Sequence, residues 1–357
     1  MSTDFIQAFP GIQIDGYHLV SQCPLCNERY SFRFFAGDLW ECVACGENGD
    51  WQGLKKRLAD DILVDISKID APKPPEGLIV VSEYIKPRTA VKTSTGFNPV
   101  DKMIGGLSSG MLTVMTGKRG EGKSTLGGQL ALNVINEGRR VCFYSGELSA
   151  GTFRDWIVNQ AAGPRFIEAY ADKFGETRHR ADQWTEPRIL HWLGKKLIMY
   201  DNGIVKSSER NSIIERFVTA RQIYGCDIFF VDNLMTAKIP IDQERDFYRA
   251  QSNFVRDLTE FAIKHESHVV LIAHPRKSIG KDMNDAIAGT ADITNLASNV
   301  MAVSKVEDEE WDAELEVTKN REYGDTGVIK FNFDKSTRRF NLVAGDQIDR
   351  FGWEDEV

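Results

Sequence analysis

At ~100–200 residues per domain, a chain of 357 residues holds two or three folding units, one of them with a large core. With 42% hydrophobic and 27% charged residues, and with apolar runs no longer than a strand where ~20 residues are needed to cross a bilayer, it reads as a folded globular protein without a membrane span. The net charge of −8, from 44 Lys+Arg against 52 Asp+Glu, excludes a general polycation, so any nucleic acid must be held by local basic patches.

In chain order, residues 1–17 lack a basic segment followed by an apolar one, so no signal sequence is expected and the cytoplasm is the expected location. Cys23-Pro-Leu-Cys26 and Cys42-Val-Ala-Cys45 are separated by fifteen residues, within the spacing of a tetrahedral zinc site. Four thiolates close the coordination shell, so Cys23, Cys26, Cys42 and Cys45 are expected to hold a structural Zn²⁺. The other two cysteines, Cys142 and Cys226, stand singly beside apolar runs, which is not the pattern of a secreted disulfide framework. The aromatics around the pairs are mostly needed for the core of so small a unit, and Arg29 and Arg33 remain as candidate nucleic-acid contacts. Leu54–Ile69 reads as a short helix. Ala71-Pro-Lys-Pro-Pro-Glu-Gly77 breaks regular structure, placing a boundary after residue 70 and a linker over 71–92.

From 93 to 343 strand candidates alternate with helical stretches, which indicates an α/β fold with a mainly parallel sheet. The strands are Met111–Thr116, Val141–Ser145, Leu197–Tyr200, Asp227–Val231, His268–Ala273, Val300–Ser304, Leu315–Thr318, Val328–Phe333 and Arg339–Val343, the last three forming an antiparallel edge. The helices are Ser124–Asn136, Thr152–Gln160, Glu209–Tyr224 and Glu244–Lys264. Residues 344–357 read as an acidic tail with Phe351 and Trp353 exposed and available to a partner.

Gly117-Lys-Arg-Gly-Glu-Gly122-Lys123-Ser124 fits G-x4-GK-[ST] between a strand and a helix, where the motif binds phosphate. A chance glycine-rich turn is the alternative, and the agreement of strand, loop and helix argues against it. Gly117, Lys118, Arg119, Gly120, Glu121, Gly122, Lys123, Ser124 and Thr125 thus form the expected nucleotide loop, with Lys123 on the β and γ oxygens and Ser124 on Mg²⁺. Asp232, ending an apolar strand, is the second expected Mg²⁺ contact, with a strand-capping aspartate as the alternative. Asn233 comes next, so the base is sought elsewhere: Glu147, just after the strand Val141–Ser145 that is expected beside the one feeding the loop, either orients and deprotonates water or is a turn or helix-start glutamate. His274 ends another strand, and either senses phosphate or is a hydrogen-bonded strand-end histidine. Arg276, Lys277 and Lys281 are a DNA-contacting loop or a solvated one. Lys319 and Arg321 either reach a neighbouring subunit's nucleotide as an arginine finger and its assistant or form a surface ion pair.

With these residues the chain resembles the hexameric replicative helicases with a RecA-like motor, bacterial DnaB, mitochondrial Twinkle and phage primase-helicases. The likeness rests on Thr95-Gly-Phe-Asn-Pro-Val-Asp101, Ser145-Gly-Glu147-Leu-Ser149, Val231-Asp232-Asn233, His274, Gly289-Thr-Ala-Asp292, Lys319-Asn-Arg321 and Gly324-Asp-Thr-Gly327. It implies a RecA-like P-loop NTPase motor that unwinds duplex DNA while moving on a single strand, using ATP or another NTP with Mg²⁺. It also implies a homo-oligomeric ring, a hexamer, acting on single-stranded and forked DNA in a bacterial or phage-infected cell. Within it Arg321 is the trans finger, Lys319 its assistant, His274 the phosphate sensor, Arg276–Ala288 the pore loop, and Phe333 the position of a base-stacking aromatic. The cysteine region resembles the zinc ribbon of phage primase-helicases, with too few residues before the motor for a catalytic primase domain. Two alternatives remain: a RadA-like recombination ATPase, and a DNA-binding ring or loader that uses ATP only to assemble.

Overall fold

The computed structural model of the chain describes residues 9, 11–15, 18–35, 39–58, 92–200, 212–237, 247–274, 291–307 and 310–355. It divides into two units, Met1–Lys86 and Pro87–Val357. The expected linker and the second half of the first expected helix fall almost entirely outside the described residues, as do Arg276, Lys277 and Lys281.

The first unit is an antiparallel sheet of β1 (Gln13–Asp15), β2 (His18–Ser21), β3 (Phe32–Phe35), β4 (Leu39–Cys42) and β5 (Asn48–Asp50), followed by α1 (Trp51–Leu58). Phe9, Phe32, Phe34, Trp40, Trp51 and Leu54 pack with Cys23 and Cys42 into its core, so most of its aromatics are structural. Arg33 pairs with Glu41 across β3 and β4.

The second unit opens with β6 (Lys92–Thr93), α2 (Asn98–Ile104) and β7 (Leu107–Ser108). There follow β8 (Met111–Thr116), α3 (Lys123–Asn136), β9 (Val141–Ser145), α4 (Ala150–Ala162), a hairpin of β10 (Ile167–Ala171) and β11 (Thr177–Ala181), α5 (Thr185–Leu193) and β12 (Leu197–Tyr200). Then come α6 (Ser212–Tyr224), β13 (Ile228–Asp232), α7 (Phe247–Lys264), β14 (His268–Ile272), α8 (Ala291–Leu296), β15 (Asn299–Lys305), β16 (Ala313–Asn320), β17 (Gly327–Asp334) and β18 (Arg339–Leu342). Among the described residues no helix is long and apolar enough to cross a membrane.

The main sheet runs β12-β9-β13-β14-β8-β15-β16-β17-β18, parallel from β12 to β15 and antiparallel beyond. Strands β8, β9, β13 and β14 are apolar almost throughout because both faces are covered, as parallel sheets require. Alternate residues serve the two faces: Phe143, Phe230, Val270 and Ile272 join one core with α3 and α4, while Tyr144, Phe229, Val231 and Leu271 join the other with α6 and α7.

Three expectations need correction. First, β9 is not beside β8: β13 and β14 lie between them, and because all four strands are covered on both faces their order follows from the long crossover connections and not from their local pattern. Second, the hairpin β10–β11, α2 and α5 are additions to the expected elements; the hairpin gives no signal in sequence because four of the five residues of β11 face solvent and carry no apolar alternation. Third, the terminal segment is not an exposed tail. Trp353 is 0% and Phe351 2% exposed. Trp353 Nε1 donates to the Ala161 carbonyl at 3.0 Å and its ring meets Phe166 edge-on, while Phe351 packs on Trp192. Two large aromatics two residues apart gain more from filling the groove between α4 and α5 than the flanking acids gain from hydration, so the partner-docking role expected of them is withdrawn.

Trp353→Ala is expected to destabilise the second unit by about 3–5 kcal/mol, read from the urea unfolding midpoint. An unchanged midpoint would mean that the terminal segment is not part of the core.

Candidate active site

Register decides which residues meet at the edge of the sheet. Ser145, Asp232, Ile272 and Met115 lie level on β9, β13, β14 and β8, so the residues just beyond them emerge together at the carboxyl ends of the strands. These are Glu147, Asn233, His274 and the loop 117–122.

The loop passes between β8 and α3, and Gly117 is required there. Its φ is +147°, and a Cβ would lie 2.1 Å from the Val303 carbonyl of the neighbouring strand. Lys123 is 4% exposed. Its ammonium donates to the Gly117 and Lys118 carbonyls, both at 2.7 Å, so the charge is folded back on the loop. Burial holds its pKa below the ordinary lysine value. Glu121 accepts from the Lys118 N–H and so closes the loop, while Lys118 and Arg119 face solvent.

Asp232 is 1% exposed, and neither carboxylate oxygen has a hydrogen-bond partner of normal geometry among the described residues. Burial pushes its pKa up to about 6; the nearby Ser124 hydroxyl and Lys123 oppose the rise, and Glu147 adds to it. An orphaned buried carboxylate next to a serine hydroxyl at the start of α3 is an arrangement of hard oxygen donors that a hydrated divalent cation fits.

Glu147 reaches this cluster through a glycine. The Gly146 N–H donates to the Asp232 carbonyl at 2.6 Å, and a Cβ on Gly146 would fall 1.9 Å from Thr236 Oγ1. Only glycine lets the Ser145–Glu147 segment lie against the turn after β13. There Asn233 Nδ2 donates to Glu147 Oε1 at 2.6 Å and lies 3.0 Å from His274 Nε2. His274 Nε2 is 3.8 Å from Glu147 Oε1, and burial, reinforced by Lys123, lowers its pKa. Asn233 is absent from the residues expected at the site; the signal for it is its place one residue past Asp232, level with the Glu147 loop.

Lys319 and Arg321 sit elsewhere, at the end of β16. Lys319 Nζ donates to the Thr294 and Asn295 carbonyls at 2.6 and 3.3 Å, and Arg321 Nη2 to Asn295 at 2.5 Å, so both cations rest on the last turn of α8. Phe333 is half-buried against Phe340. Gly122, in turn, has the Phe340 ring where its Cβ would stand, 2.7 Å away.

In the first unit, the four Sγ atoms of Cys23, Cys26, Cys42 and Cys45 lie within 4.8 Å of one another, with Cys26 and Cys42 3.7 Å apart. A tetrahedral zinc with bonds of about 2.3 Å separates its sulfurs by about 3.8 Å, so the donor set fits.

A glycine-rich phosphate loop leaving the middle strand of a nine-stranded, mainly parallel sheet, with acids at the carboxyl ends of β9 and β13, defines a P-loop NTPase core of RecA-like fold. Residues 93–342 match the family described as the DnaB-like helicase C-terminal domain, and the chain belongs to that family, one of NTP-hydrolysing DNA helicases. Among solved structures, an isolated ATPase domain is similar in fold, with a TM-score of 0.58 and 16% identity over 71% of this chain and 92% of that one. A DnaB-like replicative helicase, whose structure was described together with its interactions with primase, has a TM-score of 0.58 and 16% identity over 81% and 70% of the two chains. In sequence, the DNA repair protein RadA of Campylobacter jejuni is 30% identical over 125 residues, and that of Mycobacterium tuberculosis 33% over 130. These alignments span 31% and 36% of this chain and only 27% and 26% of the RadA chains.

Because its pKa is raised in the fold, Asp232 binds a proton between about pH 4 and about 6 that the unfolded chain has released, so its contribution to stability falls as pH rises through that window and stays low above it. Asp232→Asn is therefore expected to raise the stability of the nucleotide-free protein at neutral pH by about 1–3 kcal/mol and to flatten this part of the pH dependence in urea titrations. A lower midpoint at neutral pH would contradict it.

Proposed function

We propose that the chain is an ATP-driven ring helicase that separates duplex DNA while moving on one strand. The observation that carries the reading is the buried Asp232 carboxylate, without a hydrogen-bond partner of normal geometry among the described residues, beside Ser124 and Lys123 in a chain of a helicase family. Such a charge calls for a cation, and Mg²⁺ held through Ser124 and Asp232 would neutralise the charge that develops on the phosphates. Lys123 exchanges its two loop carbonyls for phosphate oxygens. Glu147 orients the attacking water and takes its proton as the bond between the γ-phosphorus and the β–γ bridging oxygen breaks. His274 reads the state of the phosphate, and Phe333 stacks on the base.

Lys319 and Arg321, resting on α8 and not on their own chain's loop, supply positive charge to the nucleotide of an adjacent subunit. This reading requires a homo-oligomeric ring, a hexamer. Arg276, Lys277 and Lys281 hold the DNA backbone within it. The cysteines hold a structural zinc.

With Mg²⁺ and ATP the purified protein is expected to unwind a forked duplex, and Lys123→Ala and Arg321→Ala each to lose ATP turnover by about 10³-fold or more. Mixing the two variants should recover part of that turnover, since the first still carries the finger and the second still carries the loop. Without recovery, the composite site is wrong. DNA-stimulated turnover without strand separation would favour the RadA-like reading, which the identity of 30% over 125 residues and 33% over 130 supports.

For the metal, about one zinc ion per purified chain is expected, and Cys42→Ser should both lose it and unfold the first unit, because Cys42 belongs to its core. Elemental analysis with circular dichroism decides; a metal-free first unit with intact structure sinks the assignment.

A further inference from the structure

The Asn233 amide has one possible orientation. Its Oδ1 accepts from the backbone N–H groups of Met235 at 2.9 Å and Thr236 at 3.2 Å, so the nitrogen is the atom that faces the cluster. The two Nδ2 hydrogens meet Glu147 Oε1 at 2.6 Å and His274 Nε2 at 3.0 Å. An amide nitrogen only donates. His274 therefore accepts at Nε2, which makes the imidazole neutral with its proton on Nδ1. Asn233 is 1% exposed, so water does not replace these bonds without leaving a buried polar group unpaired.

We propose that Asn233 is a positioning residue that ties the phosphate-sensing imidazole to the catalytic carboxylate: one amide, fixed by the turn after β13, aims Glu147 with one hydrogen and engages His274 with the other. The proposal rests on the reading of Glu147 as the base. One oxygen of Glu147 is taken by the amide, which leaves the other for water. An event that makes His274 Nε2 a donor, such as proton gain or donation to a phosphate oxygen, sets N–H against N–H and disturbs the amide that holds the base. The state of the phosphate is thereby communicated to Glu147 through one side chain. Among the described residues, the charged groups that act on the imidazole are Lys123, Glu147 and, from its exposed position on the loop, Arg119.

A merely structural Asn233 would act through Oδ1 alone, by capping the turn. Asn233→Asp separates the two roles, because it keeps the acceptor and loses the donor. On the proposal, Asn233→Asp in the full-length protein lowers kcat for ATP about 10- to 100-fold at neutral pH with KM within about twofold. Its turnover relative to the unmodified protein rises as pH falls from about 8 to about 6, because the introduced carboxyl beside Glu147 retains a proton and donates again. Asn233→Ser, whose hydroxyl also caps the turn but does not reach Glu147, shows the same fall in kcat without the recovery in acid, and it serves if the first variant does not fold. Glu147→Gln is run in parallel. If it keeps full turnover, the base assignment fails and the proposal with it. If it is inactive while the folded Asn233 variants keep an unaltered kcat and pH profile, the proposal alone is overturned.

Discussion

The site depends on four parallel strands ending at one level. Ser145, Asp232, Ile272 and Met115 are paired in register across β9, β13, β14 and β8, and the segments leaving these strands therefore meet one another. A slip of one residue in any strand would exchange its two faces, sending Phe143 or Phe230 from the core under α3 and α4 to the one under α6 and α7. Since both faces of these strands are packed, the register is held by the cores rather than by the polar groups at the edge. The polar groups inherit their positions.

That inheritance lets the edge carry charges at a cost to stability. Among the described residues, Lys123 is buried with carbonyls as its hydrogen-bond partners, and Asp232 is buried with none of normal geometry. Either would be destabilising in an arrangement whose only purpose was to fold. Around them, several neutral groups are committed: Asn233 uses both hydrogens and its oxygen, the Gly146 N–H holds the Asp232 carbonyl, and the Tyr144 hydroxyl holds the Thr236 carbonyl. The cluster is thus rigid in its neutral parts and uncompensated in its charged ones, which is the preorganisation that phosphate chemistry uses.

The α/β alternation, the phosphate loop and the cysteine pairs are legible in the sequence because each arises from local pattern: apolar runs of strand length, glycines before a lysine, paired thiols at metal spacing. Strand order is less so. Nothing local to Val141–Ser145 says that two later strands will insert between it and Met111–Thr116, because all four strands are equally apolar and buried and only their long-range pairing sets the order. In sequence, Asn233 is notable only for not being a glutamate; its importance lies in a contact 86 residues away. Acidic neighbours make Phe351 and Trp353 look like a solvated end, whereas the groove they fill is formed by α4 and α5, and α5 itself leaves no clear mark in the local pattern.

The contacts of that last segment also join stretches of chain that lie far apart in sequence. Gln129, in the helix that begins with Lys123, exchanges hydrogen bonds with the backbone of Phe340, 211 residues later. Asn136 accepts from the Gly352 N–H at a separation of 216, and Arg339 and Trp353 hold the carbonyls at the end of α4, the helix that begins just past Glu147. Closing loops of this length is slow, because the chain gives up its freedom before the contacts repay it. On a ribosome, the phosphate-loop helix emerges 211 residues before the strand that completes its packing. The helix that follows the glycine-rich loop therefore lacks part of its native hydrogen bonding until the last segment of the second unit has been made.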